Sequence, residues 1–486
     1  MMSLWKKIMN FLGDNKTFQA VLAWSKRPQP IATPSVPSGV IMKPINYVMN
    51  DPSTPQLIKQ VMPPTYSGKP ALNVKNYRGG GFARNSVEGQ AANCYVTLTN
   101  TIKLVNSNSE RTLVSWPGTS TLQVLPRAGV DLNAFYDRRS LKFFYVNDAR
   151  VGGSLYTCDS TDVVAHELGH AILDSFRPET WSAASLEVAS MHEAFADFIA
   201  LMHALSYDEI VNYIINETQG DLRKNNVASQ LAEQFGAAVY KLSDPKEGRS
   251  PNALRSTIND FKYVNPGTLP ADAPYNKLAA ECHSFGRIFL GALYDMLVMM
   301  YEDIKQSGKN PIVALKEARN ILLKYMLKSI QNAPLNVKFF NSVSKTLLWA
   351  DVTLGNKKYH DRMQQILANR NLLTTQLMIL LAPKCENNDL IIKTQGCMNV
   401  KLEDKVMRAQ SDDNPLYGVE VEIPVERVYL YDQDHNLYDS VAVSDEESLS
   451  AAIDMIKYLH ATNSVSDDLK TPFEIKDGKL VRTYFS

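Results

Sequence analysis

His166 and His170, with Glu167 beside the first, form an H-E-x-x-H pattern inside the apolar, proline-free stretch Asp162–Leu173. Four residues make about one helical turn, so both imidazoles leave the same helix face and can bind one Zn²⁺ through neutral ring nitrogens. Glu167 lies one position round the helix, where it can flank the metal without ligating it, as a general base must. A third donor follows: Glu193 lies 23 residues beyond His170 on a second helical stretch, after Pro178 has let the chain turn. The His166, His170 and Glu193 set leaves one position open, which catalytic zinc requires. Asp197, one turn after Glu193, is placed to accept a hydrogen bond from the other ring nitrogen of His166 and so fix its orientation. One catalytic zinc is therefore the expected cofactor. The bland alternative, chance surface histidines and a solvated acidic face, leaves two helical histidines without a partner.

These side chains need helices to hold them, and helical patterns run from Thr161 to about Leu373, in Asp162–Phe176, Leu186–Leu205, His283–Ile304, Pro311–Ile330 and Val337–Ala350. Upstream, Ala91–Val105 reads as a helix or buried strand, and Leu122–Leu125 and Leu141–Val146 as short extended pieces of a small sheet. Ten prolines from Pro28 to Pro70 bar a continuous helix and suggest an extended arm or linker. Beyond Pro383, Val419–Ile423 alternates, Val425–Tyr431 follows, Leu449–His460 is a helix candidate, and Phe473–Phe485 carries an Asp477-Gly478 hairpin signal. The expected fold class is α+β. Its parts are a proline-rich arm over 1–85, a β-containing lobe over 86–178 ending in the zinc-binding helix, an α-helical lobe over 179–380, and a small α+β appendage over 385–486.

Composition narrows the partners. The 51 basic and 51 acidic residues cancel, so no polyanion such as nucleic acid is expected as a main partner. A content of 45% hydrophobic and 21% charged residues argues against a largely disordered chain. No stretch reaches the roughly 20 apolar residues of a membrane span, and Ile8–Leu12 is too short for a secretory leader. The five cysteines are too few and scattered for a disulfide framework, although a Cys385–Cys397 bridge is open. These readings favour a cytoplasmic protein, or one exported without a Sec signal.

Taken together, H-E-x-x-H followed by Glu193-Ala194-Phe195-Ala196-Asp197 resembles the thermolysin-like branch of the gluzincin metallopeptidases, and four further segments share the likeness. Asp162-Val163-Val164-Ala165 resembles the family's approach to the zinc helix. Asn133-Ala134-Phe135-Tyr136 is similar to its substrate-binding edge strand, Leu254-Arg255-Ser256 to the segment whose arginine contacts the substrate carbonyl, and Cys282-His283-Ser284-Phe285-Gly286 to the histidine segment that stabilises the oxyanion. His283 stands 28 residues beyond Arg255, as in the family. The likeness covers roughly residues 90 to 375.

The resemblance implies a thermolysin-like unit with the zinc helix between its lobes, and a peptide or protein substrate. It implies Glu167 and His283 as catalytic groups, and Asn133, Ala134 and Arg255 as substrate-binding ones. The chain also departs from the pattern. Asn212–Gly248 forms a longer insertion, expected at the cleft rim. Leu278 stands in place of the aspartate that orients the oxyanion histidine, leaving Glu281 or another group to orient His283. Trp181 lies where an assisting tyrosine is sought, and Ala204 replaces a calcium-ligating glutamate, so calcium is not expected although Asp162 matches one ligand. Three functions are carried forward: a zinc endopeptidase, a narrow-specificity aminopeptidase-type gluzincin, and a non-catalytic zinc-stabilised binding protein. In the last of these the proline-rich arm and the C-terminal appendage, itself a candidate to bind a protein partner, serve for contacts.

Overall fold

The computed structural model describes residues 42–244, 248–373, 390–393, 397–401, 418–465 and 471–485. The chain begins with an antiparallel ribbon, β1 (Ile45–Val48) and β2 (Ile58–Val61), followed by β3 (Leu72–Val74) and the long helix α1 (Val87–Asn108), capped by Ser86 accepting from Gly89 N. Then come β4 (Leu122–Leu125), β5 (Ala134–Tyr136), β6 (Ser140–Phe143) and a hairpin of β7 (Tyr145–Asp148) and β8 (Gly153–Tyr156). Strands β3, β4, β6 and β5 lie in that order in one sheet, with β5 antiparallel to β6 and on the edge. That edge faces the zinc-motif helix: Tyr136 Oη donates to Asp174 Oδ2 at 2.8 Å, and Arg138 grips the same carboxylate at 2.7 and 3.0 Å.

Two helices carry the motif residues, α2 (Thr161–Phe176) and α3 (Leu186–Ala204). Every residue of α3 is buried, as is every residue of α2 except Ser175, so both are apolar on nearly all sides, as core helices must be. Pro178 opens a single 3₁₀ turn between them and Ser185 caps α3, accepting from Val188 N. Over the expected insertion the described residues form elements of their own: α4 (Asp208–Thr218), β9 (Gln230–Leu231) and α5 (Glu233–Leu242) precede β10 (Arg255–Ser256), which pairs with β9. The helical part closes with α6 (Cys282–Gln306), α7 (Pro311–Asn332), α8 (Phe339–Gly355) and α9 (His360–Asn369).

The remaining elements form two sheets and a helix. β11 (Ile391–Lys393) joins a three-stranded sheet, and β12 (Cys397–Lys401) pairs with β13 (Glu420–Pro424) in a four-stranded one. β14 (Val428–Tyr431) and β15 (Leu437–Val441) complete the first. Helix α10 (Asp445–Ala461) starts in a Ser444/Glu447 capping box, and β16 (Phe473–Lys476) and β17 (Lys479–Arg482) complete the second sheet. Asp477 and Gly478 both take positive φ, 52° and 74°, as a two-residue hairpin turn demands.

The chain is thus α+β, and no helix among the described residues is long and apolar enough to cross a membrane. Two expectations about its parts need correction. Residues 42–85 are no free arm: Tyr47 is fully buried and its hydroxyl meets His203 Nε2 at 3.0 Å and Thr97 Oγ1 at 3.1 Å. The prolines here break helix without preventing strands. Nor is the C-terminal region separate, because Ala184 N donates to Glu422 O, Trp349 Nε1 to Tyr431 O, and one hydrophobic core runs from Ile45 to Phe485. Cys94, Cys158 and Cys282 are unbridged; Cys385 lies outside the described residues, and the expected bridge with it.

Glycine sets the spacing of the helices that carry the site. A Cβ on Gly169 would lie 2.6 Å from Ala196 Cα on α3, and one on Gly286 would lie 2.7 Å from Ser190 O. Both obstacles are backbone, which cannot rotate away. Gly169→Ala should therefore destabilise the chain by about 1–3 kcal/mol through overpacking, measured as a lower thermal midpoint, and zinc affinity should fall with it.

Candidate metal centre

Helix α2 presents His166 and His170 toward α3, and the close crossing at Gly169 brings Glu193 up to both. One donor atom from each of the three lies within 4.8 Å of the other two. The two Nε2 atoms are 3.1 Å apart, and Glu193 Oε2 stands 3.5 Å from that of His166 and 3.7 Å from that of His170. Tetrahedral zinc bonds of 2.0–2.2 Å would hold donors roughly 3.3–3.6 Å apart, so the spacing suits one small ion. Neither Glu193 oxygen makes a hydrogen bond, although Oε2 lies within ion-pair reach of three imidazoles, the nearest being His283 Nε2 at 3.1 Å. A buried carboxylate left without hydrogen bonds is costly unless a cation completes it, which makes the donor set a good fit for a divalent metal.

The surroundings orient each donor. His166 Nδ1 lies 2.7 Å from Asp197 Oδ1, and Arg255 holds both Asp197 oxygens, Nε to Oδ2 at 2.6 Å and Nη2 to Oδ1 at 2.7 Å. Pairing of β10 with β9 fixes Arg255, so the insertion helps to build the site. Burial favours a neutral Asp197 carboxyl, but Arg255 and His166 outweigh it and pull the group down to about 2. Burial likewise opposes charge on His166, and Asp197 overcomes it, raising the imidazole to about 9. For His170 burial dominates and lowers it to about 3, keeping the ring in the neutral form that ligates metals.

Glu167 is buried and its Oε2 has no hydrogen-bond partner. Burial, partly offset by His166, lifts its carboxyl to about 8, giving a more basic group than an exposed glutamate. His283, at the start of α6, reaches Glu193 from another side, with Nε2 3.1 Å from Oε2. Its Nδ1 bonds Glu281, whose carboxylate also accepts from His283 N and Ser284 N as the helix cap. The group that orients His283 is therefore Glu281, supplied by the helix's own N-cap. Burial works against charge on His283, but Glu193 and Glu281 outweigh it and hold the ring well above its usual range.

The other expected residues gather here by degrees. Arg255 contacts Asp197 and comes within 3.4 Å of His166. Asn133 immediately precedes the edge strand β5, its carbonyl tied to Phe144 N and Thr157 Oγ1 while its buried Nδ2 has no partner; Ala134 pairs with Phe143. A cleft beside His283 and Arg255 is lined by Val239, Leu254, Tyr275 and Arg287, with Val239 coming from the insertion. Trp181 cannot replace an oxyanion tyrosine, since its single N–H donates to Arg482 O at 3.1 Å. His192 bonds Thr180 and packs, and Asp162 accepts from Ala232 N at 3.4 Å. The reading of the sequence missed Asp174, which ties Tyr136 and Arg138 to the metal helix, and Phe485, whose ring lies over His170 and His192.

No family model matches the chain, and no curated protein matches it. The site therefore speaks through its own geometry.

If the cluster holds one divalent metal, His170→Ala should abolish its stoichiometric binding in metal analysis of the dialysed protein. Asp197→Asn, which keeps the shape but weakens the hold on His166, should lower zinc affinity about 10–100-fold. Chelation should lower the melting temperature of the wild type and added zinc restore it, because an ion bound only by the folded state adds about 2.7 kcal/mol at a hundred times its Kd.

Proposed function

We propose that the chain is a zinc-dependent endopeptidase with a thermolysin-like catalytic unit, using Glu167 as general base. The observation that carries this reading is the pairing of a three-donor set with a buried carboxylate on the adjoining residue, whose Oε2 has no hydrogen-bond partner. A purely structural site needs ligands but has no use for such a base. Bound zinc supplies Lewis acidity, which brings the pKa of water to about 7 in favourable sites.

Glu167 takes a proton from the attacking water and returns it to the leaving amine, general acid–base work typically worth about 10²–10⁴ in rate. His283, flanked by Glu281 and Glu193, which favour its charged form, donates from Nε2 to the carbonyl oxygen as negative charge grows there. Arg255 keeps Asp197 and His166 in register and offers positive charge beside the cleft. Substrate backbone adds to β5 as a further strand, the mode in which main-chain bonds give affinity and pockets give selectivity. The orphaned Asn133 Nδ2 at the head of β5 is available to a substrate carbonyl.

One observation favours a second reading, a zinc-stabilised binding protein: His283 lies close enough to Glu193 to invite the idea of a fourth ligand that closes the site. Against it, the convergent donors form two sets, His166–His170–Glu193 and Glu193–Cys282–His283, which share only Glu193.

Zinc content and cleavage of a mixed peptide library separate these readings. Glu167→Gln should keep one zinc per chain and lose about 10³-fold in kcat, with wild type cutting interior bonds. His283→Ala should also keep zinc and lose about 10²–10³-fold in kcat; loss of zinc instead would make His283 a ligand and overturn the endopeptidase reading.

A further inference from the structure

The free side of β5, where a substrate strand is placed above, already has a partner. After β17 ends at Arg482, the chain turns across the metal helix, and Phe485 exchanges both main-chain hydrogen bonds with Tyr136, N to O at 2.9 Å in each direction. The pairing is antiparallel, so Phe485 and Tyr136 face each other as a hydrogen-bonded couple on the outer edge of the sheet. Side chains alternate as in any strand. Tyr484 stacks on Phe135, ring centroids 4.9 Å apart. Phe485 turns the other way, toward the metal ligands.

The Phe485 ring is 2% exposed and fills a made pocket. It stacks on His192 at 3.9 Å and 17°, lies 5.2 Å from the His170 ring at 18°, and meets Trp181 edge-on at 5.4 Å. The Arg482 guanidinium covers it at 4.0 Å, and Trp181 Nε1 clamps the backbone at Arg482 O. A hydrogen-bonded strand on the edge plus an aromatic side chain against a metal-ligand imidazole is how a bound peptide would sit.

We propose that residues 483–485 are a built-in occupant of the peptide groove. They leave the site latent until displaced, and Phe485 marks a pocket that accepts an aromatic residue of the substrate opposite Tyr136. The proposal rests on the peptidase reading for its catalytic consequence, but occupancy of the groove can be tested by binding alone. An attached occupant acts at an effective concentration in the millimolar range, so free peptides compete poorly with it. Its effect should fall mainly on KM, because displacement frees the edge of β5 while Glu193 and His283 keep their own contact.

The experiment compares three zinc-loaded proteins: the full chain, a chain ending at Arg482, and full-length Phe485→Ala, which serves if the shortened chain does not fold. Each is assayed on the peptide library and titrated with a labelled peptide of the sequence Leu480–Ser486. Removing the segment or its ring should raise kcat/KM at least tenfold through KM. The added peptide should inhibit the opened enzyme competitively, and a version with glycine in place of the phenylalanine should not. Equal kcat/KM, within twofold, in full and opened chains overturns the proposal, as does failure of the peptide to bind the opened chain at millimolar concentration. If no protein cleaves although all carry zinc, the peptidase reading fails on its own. Binding of the labelled peptide to the opened Glu167→Gln chain, but not to the intact one, then still establishes the occupant.

Discussion

Everything at the candidate metal site depends on how closely α3 can be approached. This helix carries Glu193 and Asp197, and it is gripped by α2 on one side and α6 on another. Each crossing is made by a residue without a side chain, Gly169 against Ala196 and Gly286 against Ser190 and Glu193. Ligands from different helices converge only if the backbones come nearer than ordinary side chains permit. The contact also explains why α3 is buried along its whole length: a helix touched from several directions has no face left for solvent.

Burying so much charge is affordable because every ionised group answers another. Arg255 holds Asp197, Asp197 holds His166, and a parallel chain runs from Glu281 through His283 to Glu193. The two chains meet where Glu193 faces three imidazoles. In a low-dielectric interior, removing one member strands its neighbour at a cost above the worth of the lost contact. The network is accordingly an orienting device more than a source of stability, fixing ring rotations to a precision that loose surface pairs never reach.

Much of this was legible in the sequence, for physical reasons. The metal helix, the Glu193 helix and α6 announce themselves because chemically loud residues sit at helical spacing within apolar runs, and the ends of α2 and α3 fall within a residue of the pattern. The hairpin of β16 and β17 was written in Asp477-Gly478, since few other pairs tolerate positive φ twice in succession. Residues 42–85 were misread because proline density reports only that helix is absent; the burial of Tyr47 comes from tertiary partners such as His203 that no local pattern reveals. Phe485 was invisible as a neighbour of His170 for a similar reason. Nothing at the end of a hairpin says which distant edge it will meet.

Glu281 has a consequence of a different kind. As N-cap of α6 its carboxylate is fixed by two backbone amides, and the same carboxylate is hydrogen-bonded to His283 Nδ1. The ring angle of this histidine is therefore tied to the first turn of α6, while its charge is favoured by Glu193 on α3 as well as by Glu281. Readiness at this position is a by-product of secondary structure. The same carboxylate that starts the helix also orients the ring, so a change at the cap would disturb both.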